Sequence, residues 1–235
     1  MIHAFESCNR RGFLKANAAV LGSGAWVLPA IASGAEESEK KGPEITPVED
    51  LMQEHGVLRR ILLVYRGCLR RLDLNETLSP NVITDAATII RSFIENYHER
   101  SEEEYVFPRF GEHGELVDLS VLLKSQHEAG RVLTDRILTL AATGDLALPD
   151  RKQEMILKVT AFIHMYEPHA AREDTVLFPA FRGLVKPEEY DTLGDRFEER
   201  ELELLGANGF EGTVKRIADI EKGLDIFNLA KFTPT

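Results

Sequence analysis

Cysteine is nearly absent from this chain: Cys8 and Cys68 are the whole supply in 235 residues. Cys8 falls in an N-terminal segment with the marks of a targeting signal, which leaves one thiol in the remainder. An intrachain disulfide and a thiolate cluster for zinc or iron-sulfur are therefore excluded. Basic residues are scarce relative to acids, 28 Lys and Arg against 39 Asp and Glu, and the net charge is −11. Setting residues 1–35 aside removes Glu6, Arg10, Arg11 and Lys15 and moves it to −13. Phosphate binding needs basic patches, so nucleic acid is not an expected partner. Sustained strand alternation is also missing, which points to an all-α chain.

Histidine is sparse too, seven in all, yet four of the seven stand in matched places. His98 to Pro108 and His169 to Pro179 both read His-x3-Glu-acid-x3-Phe-Pro. Upstream of each lies a further histidine in matched context, Glu54-His55-x3-Arg59 and Gln126-His127-x3-Arg131. The offset is 71 or 72 residues throughout, the signature of an internal duplication that repeats a helix pair.

On an α-helix, residues i and i+4 share a face. His98 with Glu102, and His169 with Glu173, can each turn an imidazole and a carboxylate inward, and His55 and His127 add one nitrogen from each remaining helix. A buried histidine or glutamate is expensive unless it is paired or bound to metal. His55 lies on the stripe Leu51, Leu58, Leu62, Tyr65 and Leu69, among core positions. The sum is a mixed nitrogen and oxygen site for two ions. Glu103 and Asp174 lie some 100° round the helix from the inward carboxylates and are expected to point elsewhere. His3 and His113 have no repeat partner, and Cys68 is about 220° from His55 on the first helix, away from the site.

Punctuation divides the rest. Helices are expected at about 48–73, ending near Asn75; 80–107, with Ser79 as N-cap and Pro80 at the first position; 115–142, stopping at Gly144; and 150–178. Phe107-Pro108 and Phe178-Pro179 are expected to end or bend the second and fourth helices. The phenylalanines should plug one end of an up-down-up-down four-helix bundle built from two helix-pair repeats. Domain boundaries follow: a signal at 1–35, a polar linker at 36–47, the bundle at 48–182 and a C-terminal helical extension at 183–235. The extension is amphipathic, with helices from Glu188 to Leu205 and through Val214 to Leu229, and is expected to pack on the bundle or, alternatively, to form a dimer face.

These motifs resemble those of hemerythrin-like (HHE cation-binding) proteins over roughly Val48 to Pro179. The resemblance implies a non-haem centre of two iron ions. Glu102 and Glu173 would be bridging carboxylates, with His55 and His98 on one iron and His127 and His169 on the other. It also implies handling of a small diatomic, O2 or NO. Oxygen-carrying members have a further histidine four residues after the third-helix histidine, where this chain has Arg131. His164 is a candidate replacement. Pro168 cannot donate to the His164 carbonyl, and a π-bulge at that turn would bring residues i and i+5 toward one face. Otherwise His164 is a surface or supporting residue.

The N-terminus carries a separate message. Asn9-Arg10-Arg11-Gly12-Phe13-Leu14-Lys15 resembles a twin-arginine export signal and lacks only the usual Ser or Thr before the arginines. Ala16 to Ile31 is mildly apolar but is interrupted by Asn17, Ser23, two glycines and Pro29, and small residues at Ala30-Ile31-Ala32 or Ser33-Gly34-Ala35 offer cleavage sites. No membrane span is expected in the mature protein. The resemblance implies export of a folded precursor by the twin-arginine machinery and a periplasmic or otherwise exported location. Three functions are consistent with this reading. They are O2 or NO binding at a di-iron centre, a di-iron oxidoreductase acting on peroxide or NO, and a zinc-binding or structural bundle.

Overall fold

The computed structural model describes residues 45–143, 146 and 148–234. The signal at 1–35, most of the linker and the Gly144 stop lie outside the described residues. Helix α1 (Pro47–Asp73) opens on a reciprocal cap. Thr46 accepts from the Glu49 backbone N–H, and the Glu49 carboxylate accepts from the Thr46 N–H at 2.9 Å, so two otherwise orphaned amides are satisfied. Asn75, with φ of 54°, turns the chain out of α1.

Helix α2 covers 80–113 in five consecutive stretches. Pro80–Ile89, Glu99–Ser101 and Phe107–His113 are α-helical, and Ile90–His98 and Glu102–Val106 are wound as π-helix. Helix α3 runs Val117–Ala142. Helix α4 is α-helical over Pro149–Arg172, π-helical over Glu173–Leu177 and α-helical again over Phe178–Leu184. Helices α1 and α3 each pack against both α2 and α4, and short connections reverse the chain at each step, which closes an up-down-up-down bundle. Ser79 makes no side-chain cap. Among the described residues there is no strand, and no helix is long and apolar enough to cross a membrane.

The Phe-Pro pairs do not end helices α2 and α4. The N–H of Phe107 bonds to the Glu102 carbonyl, and that of Phe178 to the Glu173 carbonyl, five residues back in each case. The wider turn makes room for a ring that would otherwise meet the carbonyl four residues earlier, and the helix then continues for seven residues.

The extension consists of α5 (Pro187–Leu205), α6 (Gly209–Gly223) and a 3-10 turn at Leu229–Phe232. It lies on the bundle: α6 packs on α1 and α2, and α5 on α1. Two apolar cores result. The larger, with Tyr65, Phe93, Ile137 and Phe162, takes in Ile217 and Leu224 from the extension. The smaller, with Leu51, Val106, Phe110, Leu123, Leu177 and Phe181, is covered by Tyr190, Leu193 and Phe197 of α5. Each of the four bundle helices passes from one core to the other through a short polar stretch.

Candidate metal centre

That polar layer contains His55, His98, Glu102, His127, His169 and Glu173, all buried, with both glutamates fully inaccessible to solvent. Their donor atoms fall into two sets, His55 with His98 and Glu102, and His127 with His169 and Glu173. The carboxylates tie the sets together. Glu102 turns Oε1 toward His98 Nε2 at 3.6 Å and Oε2 toward His127 Nε2 at 3.5 Å. Glu173 Oε2 lies 3.3 Å from His55 Nε2 and 3.1 Å from His169 Nε2. Each glutamate thus spans both histidine pairs.

The outward ring nitrogens are equally organised. Nδ1 of His55 lies 2.7 Å from Asp174, that of His98 2.7 Å from Glu54, that of His127 3.1 Å from Glu103 and that of His169 2.9 Å from Gln126. An ionised carboxylate or an amide oxygen can only accept, so each holds a proton on Nδ1 and, wherever the ring is neutral, leaves Nε2 with a free lone pair aimed inward, as metal-binding histidines are arranged. The duplication governs these partners as well. The residue before each α1 or α3 histidine serves a histidine of the next helix, and the acid after each inward glutamate serves His55 or His127. Beyond them Arg59 pairs with Asp174 and Arg131 with Glu103. Phe178 stacks on His55 and Phe107 on His127, both at 5.4 Å between ring centres. The phenylalanines of the Phe-Pro pairs therefore wall the site.

The electrostatics need positive charge. None of the four oxygens of Glu102 and Glu173 makes a hydrogen bond of good geometry, although imidazole Nε2 atoms lie 3.1–3.6 Å from three of them. His127 and His169 face each other through their Nε2 atoms at 3.2 Å, a repulsive contact when both are unprotonated. Burial, and then the charge of Glu173, pushes the Glu102 carboxyl well above its ordinary range. Burial also lowers His98, and lowers His127 to about 4 against the pull of Glu103. For His55 burial acts downward, but Asp174 and Glu173 outweigh it and lift the ring to about 9. Nitrogen and carboxylate donors with orphaned buried oxygens fit cations that prefer mixed nitrogen and oxygen ligation.

The pattern has a counterpart outside this protein. Residues 46–181, more than half of the chain, match the hemerythrin HHE cation binding domain. The chain belongs to that family. It is 42% identical over 236 aligned positions to uncharacterized proteins of two Mycobacterium tuberculosis strains and of Mycobacterium bovis, an alignment covering 96% of this chain and 91% of theirs. No solved structure matches the chain.

Within this hemerythrin-type domain, the structure brings six of the seven expected residues together and leaves the seventh out. His164 is exposed, and α4 stays α-helical through Pro168. The π stretch comes later, at Glu173, so residues 164 and 169 keep the ordinary helical angle that separates them. Arg131 is no ligand either. Its guanidinium binds Glu99 at 2.8 Å and Glu103 at 2.6 Å. Glu99 also accepts from the Tyr166 hydroxyl at 2.6 Å, and its carboxyl, raised by burial, reaches about 8. Glu103 and Asp174, expected to point elsewhere, hold histidines of the site. The registered Glu-acid pairs and the residues before His55 and His127 were the available signals for this supporting set.

Proposed function

We propose that this protein holds two iron ions, with Glu102 and Glu173 between them, His55 and His98 on one and His127 and His169 on the other, and binds O2 or NO. The observation that carries the reading is the convergence of four imidazole Nε2 atoms and the carboxylates of Glu102 and Glu173 on one buried space, with nitrogen and oxygen 3.1–3.6 Å apart. Iron held there supplies redox-active, partly open coordination for a small ligand. The chain's own residues fix the imidazole orientation through Nδ1 and exclude water by two apolar cores and two stacked phenylalanines.

A second reading draws on Arg131. Its side chain is committed to Glu99 and Glu103, so the position that oxygen carriers fill with histidine contributes no ligand. Open coordination on the His127–His169 side favours an oxidoreductase acting on peroxide or NO over a carrier. Metal analysis of the purified protein, joined to its near-ultraviolet spectrum, tests the centre. About two irons per chain with an oxo-bridged charge-transfer band is the expected result. One equivalent of zinc and no such band would leave a structural bundle. Azide titration and stopped-flow mixing with peroxide then separate the carrier from the enzyme.

Export by the twin-arginine route belongs to the same proposal. It rests on Asn9 to Lys15 and the apolar stretch that follows. Cell fractionation of the wild type and an Arg10→Lys, Arg11→Lys double variant tests it. Equal cytoplasmic retention of both would remove it.

A further inference from the structure

The C-terminal turn leaves an apolar groove along the outer face of α1, on the side of that helix away from the candidate metal centre. Its floor is Leu63 and the bare backbone of Gly67, and its far wall is formed by Ile226, Phe227, Leu229 and Phe232. The groove measures about 1060 Å3, at the upper end of the range of small-molecule sites. Leu63 is 51% exposed, Phe232 62% and Leu229 80%. Large apolar side chains left open on one concave surface mark a binding site.

Charge narrows the ligand. The polar lining is three arginines, Arg60, Arg66 and Arg70, with Glu221 and Asn228. Glu221 is taken up by Arg60 through two bonds of 2.8 and 2.6 Å. Among the described residues, Arg66 and Arg70 are held by exposed bridges to Glu167 and Glu76, and such pairs contribute at most about 1 kcal/mol. Both guanidiniums are therefore free to exchange partners. Residues four apart on a helix stand side by side, so one small anion can reach both. Each of the three guanidiniums is matched by one carboxylate, so a ligand head group would bind here by taking over the exposed partners of Arg66 and Arg70. A flat protein face does not fill such a slot, whereas a flexible hydrocarbon chain does.

We propose that this groove binds a free long-chain carboxylic acid, its hydrocarbon chain lying along Leu63, Gly67 and Phe227 and its carboxylate between Arg66 and Arg70. The test is titration of oleate into the full-length protein, followed by native mass spectrometry and calorimetry. One oleate per chain is expected. A Cβ on Gly67 would meet Leu224 at 3.5 Å and Ile226 at 3.9 Å, ordinary contacts. Gly67→Leu should therefore fold, fill the floor and weaken oleate at least tenfold, about 1.4 kcal/mol. An Arg66→Gln, Arg70→Gln double variant should lose about tenfold for oleate, and oleyl alcohol should bind the wild type about tenfold more weakly than oleate. Any of four results overturns the proposal: no saturable oleate binding, oleate affinity unchanged in a Gly67→Leu protein of normal thermal midpoint, oleyl alcohol binding as tightly as oleate, or association only with phosphatidylglycerol vesicles. Because iron content is not part of the readout, failure here is distinguishable from failure of the metal assignment.

Discussion

The hydroxyl of Tyr166 occupies the space that a side chain on Gly130 would need: a Cβ built there lies 1.9 Å from Tyr166 Oη. Glycine on α3 is thus what lets a tyrosine of α4 reach Glu99 on α2. Gly130→Ala gains about 1 kcal/mol of helix propensity but must push Tyr166 off Glu99, at a cost of about 1–3 kcal/mol. A lower thermal midpoint is expected, together with a changed tyrosine near-ultraviolet circular dichroism. A raised midpoint would mean that the ring has room elsewhere.

Removing the acids that hold Nδ1 should weaken the centre without abolishing it. Glu103→Ala and Asp174→Ala are each expected to lower iron affinity about 10- to 100-fold, measured by competition with a chelator. Glu102→Ala and Glu173→Ala should lose more, because each removes the carboxylate that reaches both histidine pairs. Wild-type retention in the Glu103 and Asp174 variants would mean that the histidines orient themselves.

Acid should act on the metal-free protein through His127. Its folded-state pKa is depressed to about 4 by burial, against about 6.5 in an unfolded chain. The unfolded chain then binds the extra proton between those values, so stability rises with pH across that window and is lost as pH falls from 6.5 through 4. Comparing unfolding midpoints of metal-free wild type and His127→Gln cancels the titrating groups that do not interact with His127. The wild type should gain on the variant as pH rises from 4 to 6.5, and a pH-independent difference would contradict the assignment.

Cys68 should be inert. It is 1% exposed, and burial raises its thiol to about 12, leaving almost no thiolate at neutral pH. Iodoacetamide should label it only after denaturation, as followed by intact mass. Rapid labelling of the folded protein would reveal an opening of α1 from the core.

Arg131→His restores the residue that oxygen carriers have at this place. If the new imidazole reaches the centre, the absorption spectrum of the iron-loaded protein should change and azide should bind more weakly. The same change strips the counter-charge from Glu99 and Glu103, so the thermal midpoint should fall by the equivalent of about 1–3 kcal/mol.

The four helices and the inward-facing set were legible in the sequence because both depend on local spacing. His98 with Glu102 and His169 with Glu173 are i, i+4 pairs, and the repeat multiplies the signal. The supporting set was legible only as matched positions of the repeat, because Glu54 serves His98 and Gln126 serves His169 across helices, and helical spacing carries no information about that. Glu103 and Asp174 escaped for a related reason: the angle between neighbours on a helix is right, but it aims them at rings on α3 and α1. The capping box at Thr46 was within reach, since Thr46 and Glu49 are three apart. His164 misled because Pro168 was credited with a distortion that α4 instead places around Glu173.

The wider turns have a consequence for how this chain can change. A π turn holds one residue more than the α turn it replaces, so Glu102–Val106 and Glu173–Leu177 each behave as a single-residue insertion absorbed inside a helix. Deleting one residue from either stretch would close the helix to α geometry with everything beyond it in the same place, and would bring the ring of Pro108 or Pro179 against the carbonyl four residues earlier. Length at these two places is therefore as constrained as residue identity.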